Sequence, residues 1–345
     1  MVDYFGEKTV ILWTGVTMGI ALCAAASRPE LFWLVAWMFL FGMAYGASAP
    51  AGGRAILLWF NKDRGLAMGI RQAGVPLGGF LGSLLLPVLA LHFGYQAAFV
   101  TAGVICIIVT LVGVRGYHRP HHDVAPQRET LYEVWQGMLR VSASWSSVCI
   151  NLTCASLAAV QFTVLSFLAL TLISLKHAPL AVAIGAMALL QIGAIAGRLV
   201  WGALSDRVFR GDRIAPILLM TIIACAGLLW LSRPGYESPG AMFTIAGVIG
   251  ISVSGWNGLF FTIQAEIGGH RLAGSAIGAG LTIIFIVGAI VPPLFGAIVD
   301  RTNFSLAWEL LAGIAALGLI PGLVARRLLY NLRMNLQVES FPHAP

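Results

Sequence analysis

Charged side chains are scarce in this sequence. Asp, Glu, Lys and Arg make up 10% of its 345 residues against 59% hydrophobic, and the mean hydropathy is +0.87, whereas an ordinary soluble domain carries about 25% charged residues. That shortage excludes a soluble fold. Metal and disulfide patterns are missing too: Cys23, Cys106, Cys149, Cys154 and Cys225 all fall inside apolar runs without CxxC or CxxH spacing, which predicts packed, reduced thiols. No HExxH, GxSxG or GxxxxGK[ST] is present, nor are carboxylates clustered for a metal, so the sequence offers neither an enzyme nor a cofactor. The net charge of +7 and pI of about 9.5 would suit nucleic acid only if the basic residues shared one solvated face. They lie instead in short loops between apolar runs, and no nucleic-acid partner is expected. The start Met1-Val2-Asp3-Tyr4-Phe5-Gly6-Glu7-Lys8 is acidic and the following run is long enough to span, so no cleavable signal peptide is expected.

Long hydrophobic runs are what the sequence has. A helix needs about 20 apolar residues to cross a hydrocarbon core of about 30 Å. Ten segments qualify, near 9–27, 31–59, 65–91, 95–114, 144–174, 178–201, 214–231, 240–265, 272–298 and 304–325. Sorting Lys and Arg by loop puts seventeen on one side and four, Arg28, Lys176, Arg233 and Arg301, on the other, alternating across all ten spans. The excess marks the cytoplasmic side, so both termini are expected there and the protein in the cell membrane. The longest polar stretch, 115–143, divides four helices from six. Its run Tyr117-His118-Arg119-Pro120-His121-His122-Asp123 contains metal-binding residue types, but a solvated, flexible cytoplasmic linker is the preferred reading.

The two parts repeat one another. Asp3-Tyr4-Phe5-Gly6-Glu7-Lys8 before the first span parallels Asp206-Arg207-Val208-Phe209-Arg210 before the seventh, and Arg64-Gly65-Leu66-Ala67-Met68-Gly69 parallels Arg271 to Gly278. Parallel repeats of this kind occur in transporters, with the solute site between them. Gly202-Ala203-Leu204-Ser205-Asp206-Arg207-Val208-Phe209-Arg210, preceded by Gly197-Arg198, resembles the signature loop of the major facilitator superfamily, with Phe209 in place of its second glycine. Asp3, Gly6 and Lys8 resemble the tail of the same motif, with Tyr4 and Glu7 departing from its basic positions.

The resemblance covers nearly the whole chain. It implies an all-α polytopic fold of two pseudo-repeated bundles, in which the ten spans match the family's helices three to twelve. The bundles would be 1–114, four helices and incomplete, and 144–330, six helices, joined by the 115–143 linker and followed by a tail at 331–345. It further implies a monomer in the lipid bilayer that moves a small-molecule solute by alternating access, with room for a coupling proton or cation, as in a symporter. Drug or metabolite export and a non-transporting truncated remnant stay open beside it. The gate motif would comprise Asp3, Gly6, Lys8, Arg198, Gly202, Asp206, Arg207 and Arg210. An Asp at a membrane interface needs a partner, and Asp206 beside Arg207 and Arg210 would latch neighbouring helices.

Polar groups inside spans are the candidates for the solute pathway. Arg54 and Arg71 either snorkel toward the cytoplasmic ends of their helices or face the pathway, where they would favour an organic anion. Gln72, Asn151, Gln161, Gln191 and Gln264 join them, as do Trp256 and Asn257. The last two fall mid-span in the equivalent of the family's tenth helix, which the resemblance places beside the cavity. Gly42 and Gly46, and Gly74, Gly78 and Gly82, recur every fourth residue and predict faces where helices pack closely. Glu266 lies at a helix end rather than mid-span, so proton coupling is not legible.

Overall fold

A computed structural model of the chain describes residues 5–60, 62–118 and 131–339. The regular structure among them is helical, with no strand. In order the helices are α1 (Glu7–Ala25), α2 (Leu31–Trp59), α3 (Arg64–Gly116), α4 (Leu131–Ala143), α5 (Trp145–Ser174), α6 (Leu180–Arg207), α7 (Ile214–Ser232), α8 (Pro239–Val253), α9 (Trp256–Arg301), α10 (Phe304–Leu317) and α11 (Leu319–Glu339). Two long helices are broken where glycine takes a positive φ, at Gly94 (φ 84°) in α3 and at Gly269 (φ 60°) in α9. An L side chain is strained in that region, so glycine sets both breaks. They fall between consecutive expected spans.

Among the described residues nine helical stretches are long and apolar enough to cross a membrane. The expected span 65–91 is helical as the first part of α3 but is not one of the nine. Loop side chains satisfy the helix starts, where backbone N–H groups lack intrahelical partners. Ser144 accepts from Ser147 N–H at 3.3 Å ahead of α5, Ser238 from Ala241 at 3.3 Å ahead of α8, and Asn303 from Leu306 at 2.8 Å ahead of α10. The Asp212 carboxylate accepts from Ile214 and Ala215 at 3.0 and 3.1 Å ahead of α7.

Two compact units hold these elements. The first comprises Met1–Asn61, Leu77–Val141 and Gln264–Leu281. Its α1 lies against the second part of α3 through glycines: a Cβ on Gly19 would stand 2.7 Å from the Gly103 carbonyl, and one on Gly103 would stand 2.6 Å from the Cys23 sulfur. The second unit comprises Lys62–Pro76, Ser142–Ile263 and Thr282–Pro345. Here α6 and α8 approach closely, a Cβ on Gly193, Gly197 or Gly250 running into the facing backbone. Trp308 is fully buried beside Phe295, with ring centroids 4.5 Å apart, and donates to Thr171 Oγ1 at 3.1 Å. Thr153 Oγ1 bridges α5 to the Gly318 carbonyl, where α10 gives way to α11, at 3.0 Å.

One expectation is corrected. Among the described residues, Gly42, Gly46, Gly74 and Gly78 have nothing within 4 Å of where a Cβ would stand, and Gly82 meets only Leu86, one turn along its own helix. The close contacts use other glycines, because a four-residue stripe marks a smooth face without saying whether another helix covers it. Within the 115–143 stretch the described residues include the helix α4. The cluster from Arg119 to Asp123 lies outside the described residues.

Candidate functional site

The signature loop of the second unit closes on a helix N-terminus. Asp206 lies in the last turn of α6, and its carboxylate accepts from the backbone N–H of Leu66 at 2.8 Å and of Gly65 at 3.3 Å, in the first turn of α3. Exposed N–H groups and the helix dipole make that turn a favourable place for an anion. Arg213 pairs with the same carboxylate and donates to Ser205 Oγ at 3.1 Å. The Asp206 and Arg213 side chains are 7% and 9% exposed, so this contact is largely sheltered from water. The guanidinium expected from Arg207 or Arg210 is supplied instead by Arg213; both of the others are exposed. Chain geometry explains the substitution. Arg210 (φ 51°) and Gly211 (φ 84°) turn the chain back after α6, which returns Arg213 to Asp206. The motif's glycine has an equally direct reason, since a Cβ on Gly202 would press against the Gly65 backbone and 3.1 Å from Leu66 Cα.

One buried arginine joins this loop region to a break in a membrane helix. Arg198, two turns before Asp206 on α6, donates from Nη1 to the Gln72 carbonyl and from Nε to the Ser254 carbonyl at 3.1 Å. Ser254 and Gly255 interrupt the span, separating α8 from α9. Trp201 Nε1 donates at 3.1 Å to the Ile251 carbonyl in the last turn of α8. Broken helices are tolerated in a membrane where side chains satisfy the freed backbone groups, and Arg198 and Trp201 do so here. The Ser254 carbonyl also accepts from Asn257 Nδ2 at 3.3 Å, and that amide donates to Gln161 Oε1 on α5 at 2.9 Å. Trp256 is buried beside Phe260, ring centroids 5.8 Å apart, and its Nε1 has no hydrogen-bond partner among the described residues. Across Phe260 lies Phe261, whose ring stands 5.3 Å from the Arg71 guanidinium.

The family model of the Major Facilitator Superfamily matches residues 1–292. The chain belongs to that superfamily. An uncharacterised MFS-type transporter of Mycobacterium tuberculosis is 32% identical over 334 residues, covering 95% of this chain and 72% of that protein. A probable sulfoacetate transporter of Cupriavidus necator is 23% identical over 356 residues, covering 95% of this chain and 80% of that one. Among solved structures, the Escherichia coli fucose:proton symporter superposes with a TM-score of 0.71 at 15% identity, over 94% of this chain and 85% of its own. The fold is therefore the all-helical membrane fold of this superfamily, and the chain is an integral membrane protein of a family of transporters, not of enzymes.

Within this superfamily chain the expected pathway residues are only partly gathered. Gln161 and Asn257 meet directly, while the Gln72 carbonyl accepts from Arg198 and neighbouring Arg71 stands over the Phe261 ring. Asn151 is buried on α5, ten residues or about 15 Å before Gln161 along the helix. Gln191 is half-buried on α6, about two turns before Arg198. Arg54, half-buried on α2, and Gln264, buried on α9, belong to the first unit. Of the first gate motif, Asp3 lies outside the described residues. Gly6 (φ 79°) precedes α1, and Lys8 Nζ donates to the Tyr117 carbonyl at 3.2 Å. Buried Glu7, the departure from the motif's basic position, accepts from Tyr117 Oη at 3.1 Å. Three features escaped the sequence: the Arg213 partner, the Ser254–Gly255 break and the Glu7–Tyr117 contact. The Ser252-Val253-Ser254-Gly255 run was the one available signal for the break.

Proposed function

We propose that this chain is a secondary active transporter that moves a small organic anion across the cell membrane by alternating access, with Asp206 as a latch. The observation that carries the reading is the Asp206 carboxylate seated on the first turn of α3 while paired with Arg213. A contact made of hydrogen bonds and charge at a helix end can be made and broken without unfolding either helix. Arg198 ties the same two elements to the Ser254 carbonyl beside Asn257, so releasing the latch would free the Gln161–Asn257 pair to rearrange. Both termini would be cytoplasmic, the bundles would be 1–114 and 144–330, and the protein would work as a monomer.

The preference for an anion rests on Arg54 and Arg71, guanidiniums within membrane helices, and on the likeness to a probable sulfoacetate transporter. Gln161, Asn257 and Trp256 Nε1, which has no hydrogen-bond partner among the described residues, would supply uncharged donors. Export of an apolar drug or metabolite is the second reading, favoured by the Trp256, Phe260 and Phe261 cluster. Transport of radiolabelled sulfonates and carboxylates into proteoliposomes separates the two, and imposed pH and sodium gradients test for a coupling ion. Saturable anion uptake that Arg54→Gln and Arg71→Gln weaken supports the first reading. Unchanged uptake of every anion by that double variant removes its basis.

A further inference from the structure

The helix α4 carries an apolar face that is largely exposed among the described residues. At about 100° per residue, Tyr132, Trp135 and Leu139 fall within an arc of about 60°, and they are 67%, 57% and 49% exposed. Gly137 lies on the opposite side and seats the helix on the first unit, where a Cβ would stand 2.7 Å from Leu272 Cδ1. Gln136 and Arg140 occupy the arc between these two faces, and Arg140 is exposed. The helix thus has one face on protein, one polar face, from which Gln136 Nε2 donates to Tyr132 Oη at 2.6 Å, and one aromatic face about half or more exposed.

Covalent continuity says what meets the aromatic face. A single residue, the N-cap Ser144, separates the end of α4 from the membrane span that starts at Trp145, itself 75% exposed. The end of α4 is therefore held at the bilayer surface. Tyr and Trp are the side chains that suit this depth, their rings apolar and their O–H and N–H groups able to reach headgroups and water. Arg140 can pair with lipid phosphate while the apolar stripe enters the acyl boundary. We propose that α4 is an interfacial helix lying on the lipid surface, with Tyr132, Trp135 and Leu139 immersed in the leaflet where α5 begins. This inference needs only the membrane span, not the identity of a solute.

Spin labels test it in proteoliposomes of phosphatidylethanolamine and phosphatidylglycerol. Trp135→Cys, Leu139→Cys and Gln136→Cys are each placed in a chain whose five native cysteines are replaced by serine or alanine. Labels at 135 and 139 are expected to relax more with oxygen than with a water-soluble nickel chelate, and the label at 136 the reverse. Equal nickel access at all three positions overturns the proposal. If the cysteine-free chain fails to fold, the native-cysteine protein and Trp135→Phe are compared in vesicles of bromine-labelled lipid. The variant is expected to lose a lipid-quenched component of the fluorescence; loss of a component quenched only by aqueous iodide overturns the proposal.

Discussion

At Asp206 a carboxylate, a helix N-terminus and a guanidinium share one sheltered volume. Removing one member of such a pair leaves the other charge uncompensated, which costs about 3–5 kcal/mol, whereas replacing both by apolar groups is far milder. Asp206→Ala is therefore expected to lower the thermal stability of the purified protein, and Asp206→Ala with Arg213→Met to recover part of the loss. A double variant no better than the single would show that the pair is not the coupled unit. Asn257→Ala leaves Gln161 Oε1 without the partner it has here, at a cost of about 1–3 kcal/mol. If this pair contacts solute, KM rises while the protein still folds; an unchanged KM excludes it from the pathway.

Lys176 offers a pH-dependent prediction outside the spans. Its side chain is fully buried, 4.2 Å from the Trp230 ring centroid and 4.0 Å from Glu237. Burial pulls the ammonium below its ordinary value of 10.5, Glu237 opposes that and Arg233 adds to it. A folded-state pKa below the unfolded one means that the unfolded chain binds more protons in the window up to 10.5. The penalty is thus fully present below the window and is relieved as pH rises through it. Lys176→Met is expected to raise the melting temperature at neutral pH, with the gain shrinking toward pH 10. A gain that grew with pH would contradict the assignment.

Among the elements, α3, α6 and α9 meet through glycines rather than through large side chains. A Cβ on Gly69 would run into the Arg198 carbonyl, and one on Gly258 would stand 3.2 Å from Gly69 Cα. Gly69→Val is expected to separate α3 from α6 and to reduce transport, whereas Gly74→Ala, with open space beside it among the described residues, should leave transport unchanged and raise stability by about 0.5–1 kcal/mol. Equal effects would mean that the close approach has no functional weight. Hydropathy made nearly all these helices legible, because a span must be apolar over its whole length. It could not tell Gly74 from Gly69, since both belong to smooth faces and only the packing distinguishes them. Nor could it reveal the break at Ser254 and Gly255, two residues that a continuous membrane helix also accepts. Arg213 was hidden for a related reason: seven residues after Asp206, it reaches that carboxylate only through the turn at Arg210 and Gly211.

For the whole molecule, the signature loop was readable because its residue types serve local physics: a glycine for close approach and an acid for a helix end. The proposed solute pathway was less readable, since amides such as Gln161 and Asn257 pair with each other as readily as with a ligand. The proposed latch and pathway residues acquire functional meaning only if the chain moves a solute, which the account takes to be an anion. Counterflow of labelled sulfonates and carboxylates in proteoliposomes of the purified protein measures this directly. The account predicts saturable anion exchange above protein-free vesicles, sharply reduced by Asp206→Asn. Absence of exchange for every anion, with the protein folded and inserted, would contradict it.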